Sequence, residues 1–312
     1  MLDDAFLPEQ PENTGQAGLV ANPRHTRHDA ARMAEVTLHE VGKSTFNQRW
    51  LVELCDGARV ECVLYRSDTL CVSSQVGCAV SCPFCASGAH GLARPLTLAE
   101  LIGQVEAVRA LGHSLQRVTV SGVGEPLHNH AAVWAFFEHC RKERIGVSLT
   151  TSGGPTARLA EWLHAPHNGL TLSIHAGSEA MRARMVPKGP SLQALFELLE
   201  REVPRMTRRR RKKTALAYLV CGGINDRADE LSQFAERVRP LALPVHLYAY
   251  NEVSNSDYKR VSREEYERCY QQLRDAGLLV RMSSQARLEE NGGCGRLLAT
   301  HSKTRLVALR LT

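Results

Sequence analysis

Cys78-Ala79-Val80-Ser81-Cys82-Pro83-Phe84-Cys85 places three cysteines in eight residues, spaced C-x3-C-x2-C, with an aromatic directly before the last. Three thiolates on so short a loop can close around one metal centre. A structural zinc site or a fully closed cluster takes four protein ligands. Three thiolates on a [4Fe–4S] cube leave one iron open to bind something else. The alternative is a Cys3His zinc site with His90 as fourth ligand, because soft thiolates suit either metal.

Outward from this loop the pattern is strand, then helix, repeated. Short apolar runs at 70–73, 117–121, 146–151, 170–175, 215–220 and 245–250 read as strands buried on both faces. Between them lie amphipathic helices. The clearest carries Leu98, Leu101, Ile102, Val105, Val108 and Leu111 on one face, with a Thr97/Glu100 capping box and Gly112 as its C-terminal stop. Ser262 and Glu265 repeat the capping signature before the last long helix, whose apolar face is read as Tyr266, Leu273 and Leu279. Six such units imply a parallel sheet with right-handed crossovers, too few for a closed eight-fold barrel. The fold class is therefore α/β, a partial (β/α)6 barrel. Its cysteine loop follows the first strand, at the end where parallel β/α folds carry their chemistry.

Ahead of the barrel, runs at 50–54 and 60–65 joined through Asp56-Gly57 read as a β-hairpin. A short helix is expected over 31–41. The first thirty residues, rich in Pro, Asn, Gln and Gly, read as a flexible arm. The division expected is an N-terminal extension over 1–45, a small β element over 46–68, and the barrel over 69–312, closed by a last strand at 305–311.

The bulk composition is that of an ordinary globular protein, with 43% hydrophobic and 23% charged residues among 312. The start, Met1-Leu2-Asp3-Asp4, has no apolar run behind it, so neither a signal peptide nor a membrane span is expected. Ten cysteines without a secretory signal point to thiol or metal chemistry in a reducing cytoplasm. The formal charge of +6 permits a nucleic-acid partner without requiring one.

Other strand ends carry polar loops. Ser121-Gly122-Val123-Gly124-Glu125-Pro126 offers two glycines for close backbone approach and a carboxylate suited to a cationic amine, or simply a tight turn. Thr150-Thr151-Ser152-Gly153, Ser173-Ile174-His175 and Asn251 follow at the same end of successive strands, which suggests a shared pocket. Arg208 to Lys213 is an unbroken basic run, either a solvated loop or a phosphate contact; His25, Arg27 and His28 are weaker candidates for the same. Cys71 lies in the first strand. Cys294 sits among glycines in Asn291-Gly292-Gly293-Cys294-Gly295, a context suited to a sulfur that moves. Cys55, Cys62, Cys140, Cys221 and Cys269 read as space-filling.

In this order, Cys71-Val72-Ser73-Ser74-Gln75-Val76-Gly77-Cys78, the three-cysteine loop, Gly124-Glu125-Pro126, Thr151-Ser152-Gly153, Ser173-Ile174-His175-Ala176, Val186-Pro187, Gly223-Ile224-Asn225-Asp226, Tyr250-Asn251 and Cys294-Gly295 resemble the RlmN- and Cfr-like RNA methyltransferases, over roughly residues 58 to 296. The resemblance implies a radical S-adenosylmethionine (SAM) barrel that uses two SAM molecules per turnover. Cys78, Cys82 and Cys85 would ligate a [4Fe–4S] cluster. SAM would be held by Gly124, Glu125, Thr150, Ser173, Ile174, His175 and Asn251. Cys294 would take up a methyl group, whose carbon joins C2 or C8 of an adenine. Cys71 would resolve the adduct through a transient disulfide with Cys294, and Glu61 would accept a proton. The partners implied are a ribosomal or transfer RNA and a one-electron donor, with no membrane.

The chain departs from the family pattern at Val123, Thr150 and Ala217, and only about 70 residues precede Cys71, where the family carries a longer helical region. Two rival functions follow. A radical SAM methylase of a non-RNA substrate would bind RNA weakly. A zinc-stapled RNA-binding protein would lack catalysis.

Overall fold

A computed structural model describes residues 36–289, together with Gly292 and Arg296. Cys294, the arm with His25, Arg27 and His28, and the strand expected over 305–311 lie outside those residues.

The chain opens on an antiparallel meander of β1 (Thr37–Lys43), β2 (Asn47–Glu53) and β3 (Arg59–Tyr65), whose last strand pairs antiparallel with β4 (Thr69–Val72). The helix expected over 31–41 is thus corrected where it is described: 37–43 is strand. None of these seven residues is fully buried, so a helix here would have no apolar face to pack and little to hold it. Pairing with β2 satisfies the backbone instead. The Asp56-Gly57 hairpin forms as expected, with Gly57 at φ +80°.

A small ribbon of β5 (Gln75–Gly77) and β6 (Leu92–Pro95) then holds the two ends of the cysteine loop together. Next come α1 (Leu98–Ala110), β7 (Arg117–Val120), α2 (His130–Lys142), β8 (Gly146–Thr151), α3 (Thr156–His164) and β9 (Gly169–Ser173). They are followed by α4 (Glu179–Met185), α5 (Leu192–Glu202), α6 (Arg208–Lys213), β10 (Thr214–Val220), α7 (Ala228–Val238), β11 (Val245–Ala249), α8 (Arg263–Asp275), β12 (Val280–Met282) and α9 (Gln285–Leu288).

Among the described residues one sheet of ten strands runs β1-β2-β3-β4-β7-β8-β9-β10-β11-β12, parallel from β4 onward, and forms the expected partial barrel. All six expected barrel strands are present. The seventh, β12, has only three residues and shows no period of its own. Leu279, expected on the last helix, is instead an exposed residue beside this strand.

β4 and β10 are buried on both faces as expected, but other strands are not. β8, β9 and β11 alternate strictly, with Val147, Leu149, Leu170, Leu172, Val245 and Leu247 turned to the helices. Ser148, Thr150, Thr171, Ser173, His246 and Tyr248 are only half-buried and face the lumen. A smaller apolar cluster around Phe84 sits beside the cysteine loop, while most apolar side chains fill the helix layer. There Phe137 and Trp162 meet edge-on at 5.0 Å, and Leu101, Val105 and Val108 of α1 are sealed against the sheet. Such fully buried side chains contribute roughly 1.5–3 kcal/mol each.

Both capping boxes form. That of α1 also receives Arg94 from β6, 2.8 Å from the buried Glu100, which fastens the ribbon to the barrel. The basic run forms α6, which leads into the start of β10. It therefore lies at the opposite end of the strands from the cysteine loop, and its Arg210 donates to the carbonyls of Ala165 and His167, both at 2.7 Å.

Candidate active site

The cysteine loop leaves β5 at Gly77, where φ is +83° and a Cβ would collide with the Gly91 carbonyl. Cys78 N–H donates to that same carbonyl at 2.9 Å, closing the loop on itself. Phe84 anchors it. Its ring meets the edge of His175 at 5.4 Å and packs with Val80, Val186, Met185 and Tyr250. The aromatic before Cys85 thus seats the loop on the ends of β9 and β11.

Cys78, Cys82 and Cys85 all line one cavity at the C-terminal ends of the parallel strands, together with Ser121, Gly122, Gly124, Glu125, Thr150, Ser173, His175 and Tyr250. Burial, and then the charges of neighbouring thiolates, raise the Cys78 thiol to about 12 and that of Cys82 well above its usual value. Three thiols on the wall of one cavity are a soft donor set that a cationic centre would keep ionised. They fit an iron–sulfur cluster. His90, the fourth donor of the zinc alternative, is exposed and does not line this cavity.

Glu125 lines the cavity but is 4% exposed, and its carboxylate is taken up by protein donors. Oε1 accepts from Thr151 Oγ1 and from Leu127 N–H, the latter at 3.1 Å. Oε2 accepts from Ser152 N–H and Ser152 Oγ, each at 2.7 Å. These four donors use the lone pairs of a carboxylate. The side chain thereby ties the loops after β7 and β8 together. Gly122 and Gly124 serve the same joint: a Cβ on either would press into Ser73 or into Ser74 and Gln75, at 2.7 to 2.8 Å. Their smallness lets the loops after β4 and β7 touch, a packing reason the motif alone did not reveal.

His175, at φ +60°, accepts Leu219 N–H at Nδ1, 3.0 Å away. Burial, and then the nearby Arg182, lower its imidazolium to about 3. It is a neutral ring whose Nδ1 is an acceptor, so Nε2 carries the proton. Asn225 holds it from behind, donating to the His175 carbonyl at 2.9 Å.

Thr150 and Ser173 line the cavity as expected; Ile174 and Asn251 do not. Ile174 is wholly buried, and its carbonyl accepts from Arg182. Asn251 Nδ2 donates to the Arg287 carbonyl at 2.8 Å, while its buried Oδ1 accepts no hydrogen bond among the described residues.

Cys71 is 2% exposed on β4, its sulfur 3.3 Å from Ser121 Oγ. Val63 of β3 lies opposite it, and Glu61, two residues along on the same face, is buried with Arg49 Nε 4.0 Å away. Neither Cys71 nor Glu61 lines the cavity itself.

Arg182 was not singled out from the sequence. It is 1% exposed, and its guanidinium donates to the carbonyls of Ser152, Ser173, Ile174 and Pro190 at 2.7 to 3.0 Å. Its one sequence signal is a charge among the apolar positions Met181, Met185 and Val186.

This fold and cysteine mouth are those of the radical SAM superfamily, whose family pattern matches residues 72–235. The chain is 33% identical, over 87% of its length and 73% of the relative's, to the dual-specificity RNA methyltransferase RlmN of Saccharophagus degradans. It is 32% identical to a probable RNA methyltransferase of Bordetella avium, over 84% of this chain and 75% of that one. A crystal structure of a radical SAM methyltransferase from Sphaerobacter thermophilus superposes with a TM-score of 0.75 at 28% identity, covering 89% of this chain and 86% of the other. The chain belongs to the RlmN-type family of radical SAM RNA methyltransferases.

Proposed function

We propose that this enzyme methylates a ring carbon of adenine, C2 or C8, in a ribosomal or transfer RNA in the cytoplasm, with Cys294 as the carrier of the methyl carbon and Cys71 as the resolving thiol. Cys78, Cys82 and Cys85 would hold a [4Fe–4S] cluster, and Gly124, Glu125, Thr150, Ser173 and His175 would line the place of SAM. Ile174 and Asn251 would act from behind that lining, through the backbone. When bound, the cluster and SAM, fed by a one-electron donor, supply the radical chemistry that makes an unreactive adenine carbon accept a new bond; two SAM molecules would be used per turnover.

The remaining work belongs to the side chains. Glu61 accepts a proton from the adduct. Cys71 as thiolate attacks the Cys294 sulfur. The S–S bond forms as the bond from Cys294 sulfur to the base-linked carbon breaks, and the carbon takes up the electron pair and a proton. The observation that carries this reading is the position of Cys71: a buried cysteine beside Ser121, a residue of the same cavity wall as the three loop cysteines, and on the same face as Glu61.

The test is Cys71→Ala, purified from cells and analysed for nucleic acid bound to Cys294. Trapped RNA, with its fragment sequence, gives both chemistry and substrate. A cluster-bearing protein with a methylated Cys294 but no RNA removes the RNA-adduct step, and an unmodified Cys294 removes the two-SAM scheme. No helix among the described residues is long and apolar enough to cross a membrane.

A further inference from the structure

We infer that Ser121 and Thr119 form a hydroxyl relay that positions the Cys71 sulfur and carries its proton down into the barrel lumen. The inference rests on the proposed role of Cys71 as resolving thiol, and it assigns two positioning residues to that step.

Cys71 and Thr119 are register partners in the parallel pair β4–β7. Ser121 lies two residues beyond Thr119, so both hydroxyls fall on the lumen face while Val118 and Val120 point to the helices. The atoms form a chain: Cys71 Sγ to Ser121 Oγ at 3.3 Å, and Ser121 Oγ to Thr119 Oγ1 at 3.2 Å. Its ends open on different spaces. Ser121 lines the cysteine mouth. Thr119 lines a second cavity of about 530 Å³ deeper in the barrel, shared with Ser148, Thr171, His246 and Arg117. A space of that size has room for water beside Thr119. Thr150 and Tyr248 border both cavities.

A resolving thiol must lose its proton before it attacks, since the thiolate is the nucleophile. Cys71 is 2% exposed and does not line the mouth itself. On β3 its register partner is Val63, with Glu61 two residues along on the same face and Arg49 of β2 4.0 Å from that carboxylate. Among the described residues the β7 side presents the hydroxyls of Ser121 and Thr119. Ser121 can accept from the thiol and, with its own proton reoriented, donate to the thiolate. In the transfer the S–H proton moves to Ser121 Oγ, the Ser121 proton to Thr119 Oγ1, and the Thr119 proton to lumen water. One proton leaves the sulfur, both hydroxyls are regenerated, and no electron changes hands.

Reduced full-length protein carrying its cluster is treated with iodoacetamide from neutral to alkaline pH, and modification of each cysteine is followed by peptide mass spectrometry. Exposed Cys55 serves as internal reference. Ser121→Ala is expected to slow Cys71 modification about tenfold at neutral pH, the loss of one hydrogen bond to a charged sulfur, and to converge with wild type as pH rises. Thr119→Val, equal in size, should slow it by a smaller factor of about three, and Ser121→Thr should stay within about twofold. A Cys71 rate in Ser121→Ala that equals wild type, or differs by a constant ratio at every pH, overturns the relay. The parent reading fails separately, if Cys71→Ala traps no RNA, because alkylation tests the thiol without turnover.

Discussion

The Arg182 guanidinium donates through Nη2 to the Ser152 carbonyl at 2.8 Å, tying the helix after β9 to the loop after β8. Ser152 in turn donates twice to Glu125, so one buried cation and one buried carboxylate brace three consecutive strand-end loops without touching each other directly. Burial lowers Arg182 to about 10, which still leaves it charged at neutral pH.

Replacing Arg182 with methionine keeps the volume and removes the donors. Four carbonyls, those of Ser152, Ser173, Ile174 and Pro190, then lose a partner. At about 1–3 kcal/mol for each buried group left unsatisfied, with partial relaxation, the expected loss is about 3 kcal/mol or more in urea unfolding of the cluster-free protein. Arg182→Lys should recover less than half of it, because an ammonium cannot reproduce the planar fork. A loss below 1 kcal/mol would mean that the loops hold themselves.

Glu125→Gln tests the other brace. An amide nitrogen would face either Ser152 N–H and Oγ or Thr151 Oγ1 and Leu127 N–H, donors against a donor in both orientations. The expected outcome is about 2 kcal/mol of destabilisation, with SAM binding weakened at least tenfold in equilibrium dialysis. Unchanged SAM affinity alongside lowered stability would confine Glu125 to a purely structural role.

His167 sets an acid limit. It is fully buried, neither ring nitrogen has a hydrogen-bond partner among the described residues, and burial followed by Arg210 and Lys213 lowers its imidazolium to about 3. Since the folded value lies below the unfolded one of about 6.5, the unfolded chain binds more protons as pH falls. Its contribution is complete above pH 6.5 and declines from there toward pH 3. At pH 5 the loss is about 2 kcal/mol. His167→Leu should remove that part of the slope when unfolding is measured at pH 7 and pH 5, and an unchanged slope refutes the assignment.

Glu289 anchors the segment that leads to Cys294. Its Oε2 accepts from Ser44 Oγ, Asn47 Nδ2 and Phe46 N–H at 2.6, 2.9 and 3.2 Å, clasping the β1–β2 turn, and Asn47 also donates to the Ala286 carbonyl at 2.6 Å. Gly292 folds back on α9, where a Cβ would meet the Ala286 carbonyl at 2.6 Å. Glu289→Ala should speed limited proteolysis after α9 and slow methyl loading of Cys294 several-fold by intact-mass analysis, with iron content unchanged. Equal loading rates would show that this clasp does not position Cys294.

Much of this protein was legible in its residues alone. The C-x3-C-x2-C spacing, the six strand–helix units and the two capping boxes are local patterns, set by chemistry within a few residues or one turn, so composition and period suffice to read them. The polar loops after β7, β8 and β9 could likewise be assigned to one end of the barrel, because a parallel sheet sends all its strand ends the same way. The short strand β12 and the edge strand β1 escaped because three residues carry no period and an edge strand need not bury a face. Only tertiary structure decided the rest. Arg182 satisfies four carbonyls brought from three places in the chain. Gly122 and Gly124 answer to Ser73, Ser74 and Gln75 across a strand pair, and the basic run is turned to the far end of the sheet. The hydroxyls of Thr119 and Ser121 become a path only because the β4–β7 register sets them beside Cys71. Contacts between distant segments depend on register and on which face each side chain takes, and neither is written in local spacing.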